Sequence, residues 1–380
     1  MRRLLWLTGL VLLLCLPALA EDITAGSSFS PGSAKAVRAL TDRDYTTHWA
    51  GSGALTIKAE QPIHGLYLCW TQRPEGYTVE GESQGGLWQE VATLPQEGFA
   101  HEYVPLEAGY AAVRLQPKGR ARLAEIYVLG AGDVPSWVQR WRPTVDKCDM
   151  LVLAAHPDDE VVMFGGTLPH YAGQLDKKVL VATMTTPSTR RRSELLDSLW
   201  TCGVKDYPVF GSFADKYFRS MSAAYKLWGT RKVRSFVVEL YRKHQPEAVV
   251  THDKRGEYGH GAHQLCADVA RAAVDYAANP ENYVDIYEQY GTWQVKKLYL
   301  HLAKEGALEM DWDAPLSAFD GKTGFEVAQD AYQKHRSQHQ FGFEVYGRKS
   351  RYSSYRFGLV HTTVGPDRQM NDFLENIPSQ

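Results

Sequence analysis

At Asp149 the pattern of the chain changes: wholly apolar runs of strand length begin to alternate with amphipathic stretches. Met150-Leu151-Val152-Leu153-Ala154-Ala155 and Val179-Leu180-Val181-Ala182-Thr183-Met184 have no polar face, and Ala248-Val249-Val250-Thr251 and Leu298-Tyr299-Leu300-His301-Leu302 repeat the pattern. Residues 165–172, 190–202, 232–244 and 260–278 read as the helices between them, and 190–202 and 232–244 gather apolar side chains on one face. A strand without a polar face is buried on both sides, and helices on both sides of a sheet imply parallel strands. Residues 148–380 are therefore expected to form an α/β, Rossmann-like parallel sheet, with any site beyond the C-terminal strand ends. No dinucleotide-type glycine fingerprint follows the first strand.

Before this region the periodicity differs. Residues 21–131 hold short runs such as Leu66-Tyr67-Leu68-Cys69-Trp70 and Ala112-Val113-Arg114-Leu115 between Gly, Pro and Ser clusters. That pattern predicts an all-β sandwich. Residues 132–147, with Pro135, Trp137, Trp141 and Pro143, read as a packed connector. The first 20 residues resemble a secretory leader: Arg2 and Arg3, an apolar run to Pro17, then Ala18-Leu19-Ala20 as a small-x-small cleavage site. The run is short for a spanning helix, and no second apolar stretch follows. The expectation is a secreted or cell-surface protein with no transmembrane segment after cleavage. The formal charge is −2, and losing Arg2 and Arg3 with the leader makes it more negative. With no long basic run, nucleic-acid binding is excluded. Cys69, Cys148, Cys202 and Cys266 are compatible with two disulfides or with buried apolar packing.

Leu40-Thr41-Asp42-Arg43-Asp44-Tyr45-Thr46-Thr47-His48-Trp49, together with Leu123-Ala124-Glu125-Ile126-Tyr127-Val128-Leu129-Gly130, resembles the signature and closing strand of discoidin-like (factor 5/8 C-type) domains. The resemblance implies a carbohydrate ligand or a purely structural module. In some members it implies a calcium ion near the Asp-rich turn, although Arg43 stands here where the family often has Gly.

The chemistry gathers at two strand ends. The first strand runs into His156-Pro157-Asp158-Asp159-Glu160, one imidazole and three carboxylates in five residues. A helix cap explains one acid, but adjacent carboxylates repel unless a cation joins them. After the Val249-Val250 strand comes Gly256-Glu257-Tyr258-Gly259-His260-Gly261-Ala262-His263, with two histidines three apart at a helix start. One of them with His156 and Asp159 makes three ligands and leaves a position for water, as in catalytic zinc sites. Two histidines and a carboxylate also suit non-haem iron, but no oxygenase-type barrel pattern accompanies them.

These strings, with Gly165-Gly166, Arg191-x-x-Glu194-Leu195 and His335-Arg336-Ser337-Gln338, resemble the PIG-L/LmbE-like deacetylases. The resemblance implies that His156, Asp159 and His263 bind Zn2+ and that Asp158 is the general base. It makes His260 the general acid or oxyanion stabiliser, with Tyr258 assisting. Arg191 would hold substrate hydroxyls or phosphate, and Glu160 would buttress the loop. The expected reaction is removal of the acetyl group from an N-acetylglucosamine-type sugar, glycan or glycolipid. Two other readings stand beside it: a zinc amidohydrolase on a non-sugar N-acyl substrate, and a carbohydrate-binding surface protein with a degenerate hydrolase domain. His335 and His339, four apart, read as helix surface or site rim. Trp293 and Trp312 read as core.

Overall fold

The computed structural model describes residues 18–83, 86–95 and 98–378; the run 1–17 of the leader-like segment lies outside them. Leu19 forms a bridge to Asp133, and Ala20 is buried. Among the described residues no helix is long and apolar enough to cross a membrane.

The N-terminal unit is antiparallel throughout. Its strands are β1 (Ser27–Ser30), β2 (Trp49–Gly51), β3 (Leu55–Gln72), β4 (Tyr77–Glu82), β5 (Trp88–Leu94), β6 (His101–Pro117) and β7 (Ala121–Leu129), with a short helix α1 (Ala34–Arg38). The long β3 and β6 bend partway, where their pairing shifts register around Ile63. One half of β3 pairs with β1 and the other half with β7, so a single sheet folds over itself. Leu55, Ile57, Leu66, Leu68, Val113 and Ile126 fill the space between the layers. Arg43 takes a left-handed conformation (φ 61°) that glycine adopts freely. Its guanidinium reaches Glu125 at 3.2 Å and Asp22 at 3.5 Å, and lies 3.6 Å over the Tyr127 ring. A side-chain cation of the Asp-rich turn thus pairs with carboxylates from outside it, Asp22 and Glu125.

The C-terminal unit is built on β8 (Met150–Ala154), β9 (Val179–Thr185), β10 (Val209–Phe213), β11 (Ala248–Thr251), β12 (Lys297–His301), β13 (Ala307–Glu309) and β14 (Arg356–Thr362). The spatial order is β10-β9-β8-β11-β12-β14-β13. The first five strands are parallel, while β14 and β13 add an antiparallel edge absent from the sequence reading. The order 3-2-1-4-5 of the parallel strands is the Rossmann order, and its switch point falls between β8 and β11. Helices α2 (Asp159–Val162), α3 (Thr189–Thr201), α4 (Met221–Trp228), α5 (Thr230–His244), α6 (Gly261–Ala278), α7 (Val284–Tyr290) and α8 (Gly324–Tyr332) cover the sheet. Within β8, Met150, Val152 and Ala154 feed one core and Leu151 and Leu153 the other, which is why the strand has no polar face. Trp312 is core, 1% exposed, and lies so close to Gly166 that a Cβ there would sit 2.8 Å from its ring. Cys69, Cys148, Cys202 and Cys266 are buried and unpaired.

The two units are docked through α3. Asp197 on its outer face accepts hydrogen bonds from Tyr45 Oη at 2.8 Å and from Gln139 Nε2 at 2.7 Å. Arg192 donates to the Trp70 and Thr71 carbonyls at the end of β3, and Trp200 Nε1 donates to Ser136 O at 2.7 Å. A hydrogen bond to a charged acceptor contributes about 1.5–3 kcal/mol, and its loss leaves that acceptor desolvated. Tyr45→Phe is therefore expected to lower stability by about that amount, read as an earlier calorimetric transition with unchanged far-UV circular dichroism. An unshifted transition would show that Asp197 does not hold the units together.

Candidate active site

The site lies at the switch point, where the chain leaves β8 and β11. Asp158 sits at φ 112°, ψ −31°, a region that costs a non-glycine residue about 1–3 kcal/mol. Glu160 holds it there. Its Oε2 accepts the Asp158 amide at 2.7 Å, while Oε1 accepts Ser198 Oγ of α3 at 2.8 Å and His335 Nε2 at 2.7 Å. His335 is fully buried and follows α8 in a turn, so the reading of it as helix surface or rim was wrong. Burial pulls its pKa down, but the carboxylates of Glu160, Asp158 and Glu194 together raise it.

Asp159 Oδ2 accepts the His156 amide at 2.8 Å and lies 3.2 Å from His156 Nδ1, while Oδ1 lies 3.3 Å from His263 Nε2. That His263 nitrogen is buried and has no hydrogen-bond partner. Ring nitrogens of His156, His260 and His263 fall within 4.8 Å of one another, as do ligand atoms of Asp159, His252 and His263. Two of these five side chains are otherwise engaged. His252 Nε2 accepts the Ala155 amide at 3.0 Å, which uses its lone pair. His260 Nδ1 accepts the Ala262 amide at 3.0 Å, so a neutral ring carries its proton on Nε2. Burial, then the imidazoles of His263 and His156, push the His260 pKa down to about 2 and keep the ring neutral. The atoms left for a cation are those of His156, Asp159 and His263, and the orphaned His263 Nε2 marks where it fits. Two nitrogens and one oxygen are a donor set suited to a borderline divalent ion.

Behind these ligands stands Glu257, whose carboxylate is 0% exposed. It faces the Nδ1 atoms of His263 at 2.6 Å, His252 at 3.2 Å and His301 at 2.9 Å, and it accepts the Asp253 amide at 3.1 Å. The hydrogen bond to Nδ1 of His263 turns Nε2 toward Asp159. The sequence reading did not single out His252, Glu257 or His301. Two of them immediately follow or close a buried strand, the position that had drawn attention to His156.

A cavity of about 390 Å³ opens over the site. Asp158 and His260 line it, with Tyr217, Tyr258, Phe341 and Phe343 as aromatic walls. Burial and the neighbouring Asp159 raise the Asp158 pKa to about 7, against the pull of Arg191. Burial and the same carboxylates hold the Tyr258 phenol far above its usual range, so it is a donor. Arg191 reaches the cavity, but its guanidinium is turned onto Pro157 O and Asp215, with Asp158 Oδ1 at 3.4 Å. It braces the loop that carries Asp158. All seven side chains singled out from the sequence, His156, Asp158, Asp159, Arg191, Tyr258, His260 and His263, therefore meet at one place.

Fold and site define the class: a Rossmann-like α/β protein that can hold a cation between His and Asp ligands beside a buried carboxylate of raised pKa. Residues 151–274 match the family model PIG-L, GlcNAc-PI de-N-acetylase, and constitute a PIG-L family domain. The 1D-myo-inositol 2-acetamido-2-deoxy-alpha-D-glucopyranoside deacetylase 1 of Frankia alni is 29% identical over 200 residues, 43% of this chain and 67% of that protein. Across the next such relatives the chain spans 63% and 57% of their length. Among solved structures, N,N'-diacetylchitobiose deacetylase from Pyrococcus horikoshii aligns with TM-score 0.39 and 21% identity, over 51% of this chain and 71% of its own. CpGH89CBM32-6, produced by Clostridium perfringens, aligns with TM-score 0.26 and 17% identity, over 29% of this chain and 100% of its own.

A carboxylate that orients a metal-binding imidazole typically supports metal affinity by 10–100-fold. Glu257→Gln offers one acceptor oxygen where the histidines present three N–H groups. It is expected to weaken divalent-metal affinity by about that factor in a chelator competition, with unchanged circular dichroism. Wild-type affinity in the variant would show that Glu257 does not orient His263.

Proposed function

We propose that the protein is a metal-dependent N-deacetylase acting on N-acetylglucosamine-type sugars, with zinc held by His156, Asp159 and His263. The observation that carries this reading is the orphaned His263 Nε2 facing Asp159, beside a strained Asp158 of raised pKa. The match of residues 151–274 to the PIG-L family and the similarity to sugar deacetylases support the same reaction. The leader-like residues 1–20 support action outside the cytoplasm.

An ion at this site would supply Lewis acidity, making water more acidic and polarising an amide carbonyl. The remaining work falls to side chains. Asp158, buried and 6% exposed, takes the proton of the attacking water. A base with pKa near the working pH does this best, and a positioned base contributes about 10²–10⁴-fold. Arg191 reaches its carboxylate, and Glu160 holds its backbone amide. His260, neutral with its proton on Nε2, is suited to donate a hydrogen bond to the oxyanion that forms on the carbonyl. The Tyr258 hydroxyl is a second donor. The proton gathered by Asp158 is then available to the leaving amine, so acetate departs and the amino sugar is released. The aromatic walls fit the apolar faces of a pyranose ring.

The test is acetate release by the zinc-loaded protein on N-acetylglucosamine compounds. Asp158→Asn is expected to keep the metal and lose about 10²–10⁴ in kcat, whereas His263→Ala loses the metal. Since Asp158 must be ionised, kcat/KM should fall as pH drops below its pKa; a bound cation draws that limb below 7. Asp158→Asn should abolish the limb. No acetate from any such compound by the metal-loaded protein would sink the reading, as would full metal content in His263→Ala.

A further inference from the structure

A second cavity, about 490 Å³, lies between the β unit and the α/β unit. Neither unit encloses it alone. The β unit and connector contribute Tyr45, Tyr127 and Trp137, and the α/β unit contributes Trp200 of α3 and Lys334. Its floor is fixed by the hydrogen bonds from Tyr45 and Gln139 to Asp197, so the cavity is formed before any ligand arrives. It adjoins the active site through two shared segments. Arg190 and Glu194 of α3 line it while Arg191 lines the catalytic cavity; Arg336 lines it while Gln338 lines the catalytic cavity. Glu194 also accepts the Ser337 amide at 2.9 Å, joining those segments into the wall between the cavities.

The lining states what would fit. Five carboxylates face four basic side chains, which disfavours a polyanion; Arg43 pairs with Asp22 and Glu125 and Arg190 with Glu194, which leaves Lys334 and Arg336 to offer N–H donors to hydroxyl groups. The Trp137 indole is 42% exposed, a flat apolar face at the mouth that packs 4.8 Å from the Tyr127 ring. Lys334 and Arg336 are exposed at the rim. Rings that stack and charged groups that hydrogen-bond are what an uncharged, hydroxyl-rich chain requires.

We propose that this cavity binds further sugar units of the substrate, so that the protein acts on oligosaccharides or polymers of N-acetylglucosamine in preference to a single sugar. This rests on the deacetylase reading above and narrows its substrate. The two cavities lie on either side of one wall, so a glycan chain that reaches past it would engage both, and binding in the second would add affinity through effective concentration.

Titration calorimetry with N-acetylglucosamine oligomers of one to six units, run on the intact protein, reads the cavity directly. Affinity is expected to rise at least 10-fold from the single sugar to the longest oligomer. Trp137→Ala, and independently the surface change Lys334→Ala, should remove most of that gain and leave single-sugar binding within about twofold. Equal affinity at every length would overturn the inference, and so would a gain that survives in both variants. Acetate release is measured alongside. Length-dependent binding without acetate would refute the reaction and keep the cavity; acetate with no length dependence would do the reverse.

Discussion

One buried carboxylate, Glu257, ties together the ends of three neighbouring strands. His252 follows β11, His301 closes β12, and the far nitrogen of His252 accepts the amide of Ala155 just after β8. A carboxylate taken out of water is costly unless it is paired and fully hydrogen-bonded. Four donors meet that need here, and satisfying Glu257 forces the strand ends into one register. His301 extends the network, since its Nε2 lies 3.0 Å from Ser353 O in the segment leading to β14. His263 is the member whose other nitrogen is left over. The candidate cation site is thus the unfilled valence of a network that otherwise closes on itself.

Glu160 does the corresponding work on the other side of the centre. It joins Asp158, Ser198 and His335, which come from the β8 loop, α3 and the turn after α8. The strained conformation of Asp158 persists because these groups over-determine it. Two buried acids therefore fix the geometry of the site, Glu257 by orienting His263 and Glu160 by holding the Asp158 amide. In the proposed reaction the roles separate: the acids inside hold geometry, and Asp158 and Asp159 at the cavity would carry the chemistry.

Much of this was legible from residues. The buried strands β8, β9, β11 and β12 announced themselves by lacking a polar face, and the strings after β8 and β11 announced the site. The edge strands did not. β10 contains Gly211 and Ser212, and β13 spans only three residues, Ala307–Glu309, so neither offers a periodic signal. His335 was misread because its partner Glu160 is 175 positions away, and spacing within one helix says nothing about such a contact. His252 and His301 were open to discovery by applying the strand-end rule to every strand instead of only to those with an obvious motif. Glu257 was quoted within its string yet passed over, because a lone Glu between Gly and Tyr has no local signature.

Helix α3 joins these parts mechanically. Its first turns put Arg191 against the Asp158 loop, and two turns later Ser198 meets Glu160. On its other face Arg192 and Asp197 are bonded to the β unit and connector. A 13-residue helix is stiff over that length, so its outer contacts constrain its inner ones. With the β unit removed, Asp197 would lose its bond from Tyr45 and Arg192 its two carbonyls. The outer face of the helix that carries Arg191 would then be held only by the connector, through Gln139 and Ser136. Docking of the β unit is in this sense part of how Asp158 is positioned, and the cavity between the units is formed by the same contacts.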